Sequence, residues 1–212
     1  MTVQDIIAQR DIKEVLHFTT NKGFTGILAT GFLKARKLLS KDDYLEHIYQ
    51  YNCKDRSRDM AWWGFVNLSI TSVNRPLLSI SSGKWHANED GWWCILSFTP
   101  DICSHDGVYF TTTNNMYSGV RRMQGSDGLN AMFASRITQW SSSIICRPPN
   151  LPDKQPTCEQ AEVLYPRQIP LKYLQKVYVM NDDTAAKLES IKIIFPEWQN
   201  VPCELNVNLF KG

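Results

Sequence analysis

A glutamate inside an apolar, β-rich run, placed directly after a proline-studded stretch, constrains this chain more than any other feature. In Gln160-Ala161-Glu162-Val163-Leu164 the carboxylate has to be paired, hydrogen-bonded or put to use, because burying one uncompensated is expensive. Period-two alternation sets Gln160, Glu162 and Leu164 on one face of a strand and Ala161, Val163 and Tyr165 on the other. An edge-strand glutamate facing water is the plain alternative. The stretch before it, residues 146–158, carries four prolines in thirteen positions. It reads as an exposed, stiffened loop that delivers the chain to Glu162.

The rest of the sequence alternates between helical and strand periodicity without repeats, charge blocks or a flexible linker. Thr2 and Asp5 form a capping-box pattern ahead of Ile6 and Ile7. Val15 to Thr19 reads as a strand. Phe24, Ile27 and Leu28 then fall at helical spacing, with Gly31 placed to end that helix left-handed. Ser40, Asp42 and Asp43 suggest another helix, to about Tyr51. Strands follow at Phe65 to Ile70, Trp93 to Phe98 (stopped by Pro100), Val108 to Thr111, Ala161 to Tyr165 and Lys176 to Val179. Residues 117–145 read as irregular and partly helical, and a last helix runs from about Asp183, as cap, to Ile191. These elements predict one α+β domain over residues 1–212, with a central mixed or antiparallel sheet and flanking helices. Neither βαβ units nor a glycine-rich phosphate loop is visible.

Composition closes off several classes. At 212 residues, 43% hydrophobic and 21% charged, the chain has the make-up of a single globular domain. No apolar run approaches the roughly 20 residues that span a bilayer, and the first residues carry charges where a signal peptide needs an apolar stretch. A soluble cytoplasmic protein is expected. Lys and Arg number 23 against 21 Asp and Glu, a net charge of +2, which excludes nucleic-acid binding by bulk charge but allows a local basic groove. Six cysteines show neither zinc spacing nor a disulfide framework and read as thiols in a reducing compartment. Seven tryptophans and only 11 glycines stand out. Trp62-Trp63 and Trp92-Trp93 would each put one ring on either face of a strand.

Among four histidines, His17 alone lies inside a predicted strand, with Thr19 on the same side. Taken by itself it is a core histidine held by one backbone partner. His47, His86 and His105 sit in polar surroundings and read as surface residues. Arg58, within Asp55-Arg56-Ser57-Arg58-Asp59, reads alone as part of a solvated turn. Between Tyr117 and Asn150 stand Arg121, Arg122, Arg136 and Arg147, with one acid, Asp127, and no lysine. Phe133 and Trp140 are interleaved with them. That pattern suits a single nucleic-acid strand, phosphates taking the cations and bases stacking on rings for roughly 1–3 kcal/mol each. Core aromatics beside solvated arginines would give the same pattern.

Taken in order, these segments resemble the DarT family of toxin ADP-ribosyltransferases. The likeness runs from about residue 14 to about 180. It is carried by Leu16-His17-Phe18-Thr19 with Gly26-Ile27-Leu28 and Gly31, by Asp55 to Arg58 ahead of Asn67-Leu68-Ser69-Ile70, by Val108-Tyr109-Phe110-Thr111 with Asn114, and by Pro156-Thr157-Cys158-Glu159-Gln160-Ala161-Glu162-Val163-Leu164. The resemblance implies an ADP-ribosyltransferase-like fold that takes NAD as co-substrate, needs no metal and modifies a base of single-stranded DNA. It implies catalytic roles for Glu162 and Arg58. Glu162 would stabilise the charge that builds on the ribose as nicotinamide leaves, and would serve better as a base than an arginine. Arg58, or Arg56 one step away, would bind the pyrophosphate or the acceptor base. His17, Phe18, Thr19 and Gly26 would belong to the NAD site, His17 through a ring nitrogen to a ribose hydroxyl. Gln160 would present the acceptor, with Arg121, Arg122, Arg136 and Trp140 along the groove.

The same resemblance implies a toxin of a toxin–antitoxin or phage-defence system, neutralised by a macrodomain protein. Asn67 stands where many relatives have serine, and Cys158-Glu159 replaces a more usual pair; both bear on acceptor choice. The Asn67-Leu68-Ser69-Ile70 pattern leans towards guanine over thymine. RNA as the acceptor, a catalytically idle nucleic-acid-binding module and a protein-modifying transferase are the alternatives.

Overall fold

The fold begins with a helix capped as the sequence predicts. In the computed structural model, which describes residues 1–39, 57–87, 91–140 and 143–211 and the backbone alone of 57–59, helix α1 spans Val3–Gln9. Thr2 Oγ1 accepts from the Asp5 amide at 3.1 Å, and Asp5 accepts from the Thr2 amide at 2.7 Å. Strand β1 (Val15–Thr20) feeds straight into α2 (Asn21–Thr30). Thr20 caps α2 through the Gly23 amide, and Gly31 ends it at φ +71°, the left-handed conformation glycine adopts freely.

Further strands follow in chain order: β2 (Phe32–Lys34), β3 (Phe65–Ile70), β4 (Trp93–Phe98), β5 (Tyr109–Thr111), β6 (Arg122–Gln124), β7 (Arg136–Thr138), β8 (Ile144–Cys146), β9 (Val163–Pro166), β10 (Gln168–Pro170), β11 (Leu174–Val179) and β12 (Cys203–Leu205). Eight of them build one mixed sheet in the order β12-β11-β4-β1-β3-β9-β5-β6. The pair β11 and β12 is parallel and the other pairs run antiparallel. Alternation divides the core between the two faces. Leu16, Phe18, Ile95 and Tyr178 pack on one side, and Val15, Leu96, Phe98 and Val177 join the larger cluster on the other. The α+β class and the antiparallel-dominated mixed sheet are those expected from the sequence.

Several local expectations are corrected. Trp62 ends a 3₁₀ turn, Ser57–Trp62, rather than lying in a strand. Asn181, not Asp183, caps the last helix, Asp182–Ile193, by accepting from the Thr184 amide at 2.9 Å. A cap must precede the first helical residue, and Asp183 is already inside the first turn. His86 is buried with its ring edge-on to Trp93 at 5.6 Å, and half-buried His105 bonds the Tyr165 hydroxyl through Nδ1 at 2.8 Å. Glu162 directly precedes β9 instead of lying within it. His47, Cys53, Arg56 and the helix expected from Ser40 lie outside the described residues. Cys94, Cys103, Cys146, Cys158 and Cys203 are free thiols. Among the described residues, no helix is long and apolar enough to cross a membrane.

Candidate functional site

The sheet splits beside His17. Strand β1 pairs with β4 along its whole length, from Val15 to Thr20, but with β3 only at Val15↔Ile70 and Leu16↔Ser69. Beyond Leu16 the ladder between β1 and β3 ends, and an imidazole bridges the gap in its place: His17 Nδ1 lies 2.9 Å from the backbone oxygen of Asn67. A carbonyl oxygen only accepts, so Nδ1 carries the proton and Nε2 keeps its lone pair. Loss of solvent, partly offset by the bond to Asn67, pushes the imidazole down to about 4. The ring is therefore neutral and an acceptor at physiological pH.

Asn67 also faces the other way. Its side-chain amide donates to Glu162 Oε1 at 3.0 Å, while Oε2 accepts from the Asn115 backbone amide at 2.8 Å. The carboxylate, 5% exposed, thus has a donor on each oxygen. Its backbone is held as firmly. Thr111 is fully buried; its hydroxyl accepts from the Glu162 amide at 2.9 Å, and its own amide donates to the Glu162 carbonyl oxygen at 2.9 Å. One residue, Asn67, therefore ties the candidate carboxylate to the candidate imidazole. Donors on both oxygens make burial of the Glu162 carboxyl tolerable.

The neighbouring candidates sort into those the fold brings together and those it does not. Gln160 Oε1 accepts from the Tyr117 hydroxyl at 2.8 Å, and Tyr117 packs on Trp140 with ring centroids 4.2 Å apart. Trp140 is 43% exposed, so Gln160, Tyr117 and Trp140 form an aromatic shelf open to solvent. A cleft of about 280 Å³ lies alongside, lined by Ser72, Arg75, Gln139, Glu159 and Gln160 among others. Glu159 is paired with Arg75 at 3.2 Å, whereas Cys158 turns inward, its Sγ 3.2 Å from Thr113 Oγ1.

Arg121 and Arg136 are exposed. Arg122 is half-buried and bonds Asn115 instead: Nε donates to Oδ1 at 2.6 Å, and a terminal guanidinium nitrogen donates to the Asn115 carbonyl oxygen. Arg147 and Phe133, expected in the groove, belong to the framework. Arg147 donates to the carbonyl oxygens of Gln155 and Pro152, each at 2.8 Å, and Phe133 is a core ring with Arg10 stacked over it at 4.1 Å. Phe18 is buried, tilted against Trp93 at 5.8 Å. Thr19 is buried against Gly23, where an added Cβ would fall 2.2 Å from its hydroxyl. Gly26 is buried inside α2. The backbone of Arg58 lies in the Ser57–Trp62 turn, and its side chain lies outside the described residues.

The sequence reading took Asn67 as part of the family likeness and as bearing on acceptor choice, not as a partner of Glu162, and it missed Asn115. The run Thr111-Thr112-Thr113-Asn114-Asn115 does signal a turn after a strand, and Asn114 Oδ1 accepts from the Met116 amide at 2.9 Å to make one. Nothing local says which amide of that turn reaches Glu162.

The fold that carries this carboxylate and imidazole is shared with solved DarT structures. Thermus sp. 2.9 DarT in complex with carba-NAD+ superposes with a TM-score of 0.66 over 95% of this chain and 99% of that one, at 16% identity. The same protein in complex with ADP-ribosylated ssDNA gives a TM-score of 0.63 at 15% identity, over 95% of this chain and 97% of that one. Thermosipho africanus DarTG in complex with ADP-ribose gives 0.61 at 16% identity, over 93% of this chain and 51% of that one. No curated protein matches the sequence. The family model described as "ssDNA thymidine ADP-ribosyltransferase, DarT" matches residues 16–207, and the chain belongs to that family.

Proposed function

We propose that this protein transfers ADP-ribose from NAD onto a base of single-stranded DNA, releasing nicotinamide, and that Glu162 is the catalytic carboxylate. The observation that carries this reading is the pair of bonds through Asn67, which ties the carboxylate of Glu162 and the neutral imidazole of His17 to one residue. NAD fits the residues present: a neutral His17 with its lone pair on Nε2 accepts from a ribose hydroxyl, as a protonated ring would not. The Phe18 backbone, Thr19 and Gly26 complete the NAD side, and Arg58 binds the pyrophosphate or the acceptor base.

As the bond from nicotinamide to C1′ breaks, positive charge builds on the sugar. Glu162 stabilises that charge by accepting from a ribose hydroxyl, an interaction stronger in the transition state than before it. The base nitrogen that bonds to C1′ gives up a proton, and Glu162 is the group able to take it, since a guanidinium stays protonated. Gln160 presents the base, Trp140 supplies a ring for stacking, and Arg121 and Arg136 meet phosphates.

Guanine is the proposed acceptor, on the Asn67-Leu68-Ser69-Ile70 pattern; the matched family model is described for thymidine. Modification of DNA would stall replication, so the protein is proposed as a cytoplasmic toxin with a macrodomain antitoxin that removes the mark. The test uses labelled NAD with matched single-stranded DNA and RNA oligonucleotides, each series varying one base. Label on guanine-containing DNA is expected, and Glu162→Ala should abolish it, by about 10²–10³-fold or more, with strand affinity near wild type. Undiminished labelling by that variant would overturn the assignment, and label confined to thymine or to RNA would overturn the acceptor.

A further inference from the structure

Arg122 looks in sequence like a groove residue, but the structure spends its guanidinium elsewhere. The guanidinium forks onto Asn115, Nε donating to Oδ1 at 2.6 Å and a terminal nitrogen to the Asn115 carbonyl oxygen. Asn115 is 2% exposed, and its backbone amide is the donor to Glu162 Oε2. Bonds to both the side chain and the main chain of one residue hold its backbone torsions, and with them the direction of its N–H. The Asn114 turn braces the same segment from the preceding residue. On its far side the guanidinium lies 5.4 Å from the centre of the Trp62 ring. Trp62 is itself packed against Phe65 at 5.1 Å and Tyr109 at 5.3 Å. The fork is thus seated on a rigid aromatic cluster and aimed at the loop that carries the donor.

We infer that Arg122 is a positioning residue for the transfer reaction: through Asn115 it fixes the backbone N–H that orients and charges Glu162. The inference rests on the proposed role of Glu162. It assigns Arg122 to the chemical step and leaves phosphate contact to Arg121, its exposed neighbour.

Turnover by Arg122→Ala, Arg122→Lys and Arg121→Ala is measured with labelled NAD and single-stranded DNA, across pH. Arg122→Ala lowers kcat by about ten- to a hundredfold, the loss expected when a carboxylate forfeits a well-aimed donor, and leaves the KM for NAD and the strand affinity within about twofold. The acid limb of its kcat profile moves to higher pH, since a carboxylate with fewer donors protonates more readily. Arg122→Lys shows the same loss, because one ammonium cannot make the fork. Combining Arg122→Ala with Asn115→Gly costs less than the sum of the two alone, as for residues acting in series.

Should Arg122→Ala not fold, Arg122→Lys carries the test, with melting temperature as the control. An Arg122→Lys enzyme with wild-type kcat and acid limb, or one that loses strand affinity instead, overturns the inference. A wild-type chain that labels nothing overturns the proposed function itself, a different result from a labelling wild type with an indifferent Arg122.

Discussion

His17 shows what loss of solvent does to a titratable group. Its ordinary value of 6.5 falls to about 4 because the ring gives up solvent, with the Asn67 oxygen opposing the shift. The folded state thus holds the proton less tightly than the unfolded chain. Stability from this residue is full above about pH 6.5 and is lost as pH falls from 6.5 towards 4, where the unfolded state takes up the proton first. Two outcomes follow. NAD affinity, read by calorimetry, stays flat from pH 8 to 6 and drops only as pH nears 4. A His17→Gln chain, compared by urea midpoint, loses less stability than wild type across that window. Glu162 was legible at this scale from type and neighbours alone, since an acid among apolar residues demands partners. The partners were not legible, because Asn67 and Asn115 are unremarkable until the strands bring them to it.

At the scale of elements, the proline-rich segment was recognisable by composition, and side chains gather its carbonyl oxygens: Arg10 donates to Asp153 at 3.3 Å and Thr71 to Lys154 at 3.1 Å. Arg147 reaches the carbonyl oxygens of Pro152 and Gln155 and the Thr157 hydroxyl, while Thr157 Oγ1 donates to Ala134 O at 2.7 Å. Proline offers no N–H, so a stretch rich in it exposes carbonyl oxygens that a guanidinium can gather. Arg147→Ala is expected to cost about 1.5–3 kcal/mol of stability, read as a lower urea midpoint, and to speed protease nicking between residues 148 and 156. Because that segment leads into Gln160, labelling should fall as well. The N-cap of α1 and the glycine end of α2 were readable from a few adjacent residues, for their hydrogen bonds close within four positions. The Trp62-Trp63 pair was misread as strand because two adjacent aromatics favour strands by propensity, whereas Trp62 ends a 3₁₀ turn and packs on Phe65 of β3 and Tyr109 of β5, with Trp63 directly after it.

For the molecule as a whole, the balance of charge matters more than its total. A net charge of +2 gives no strong field, so strand binding on the proposed reading depends on a few placed arginines and the exposed Trp140. Each phosphate contact to a single strand contributes about 0.7 to the slope of log K against log salt. Arg121→Ala should therefore flatten that slope by about 0.7 and weaken binding, as measured by fluorescence anisotropy from low to moderate salt. An unchanged slope would place the groove elsewhere on the surface.

Strand and helix periodicity, the caps, the demanding glutamate and the family likeness were all determined by residues read in order, because those signals arise from neighbours a few positions apart. The split between β1 and β3, the double clamp on Glu162 and the inward turn of Arg122 were decided only by tertiary structure. Asn67 and Asn115 stand 95 and 47 residues from the carboxylate they hold. A hydrogen bond a few ångströms long cannot be read across such separations until the sheet has put the strands side by side.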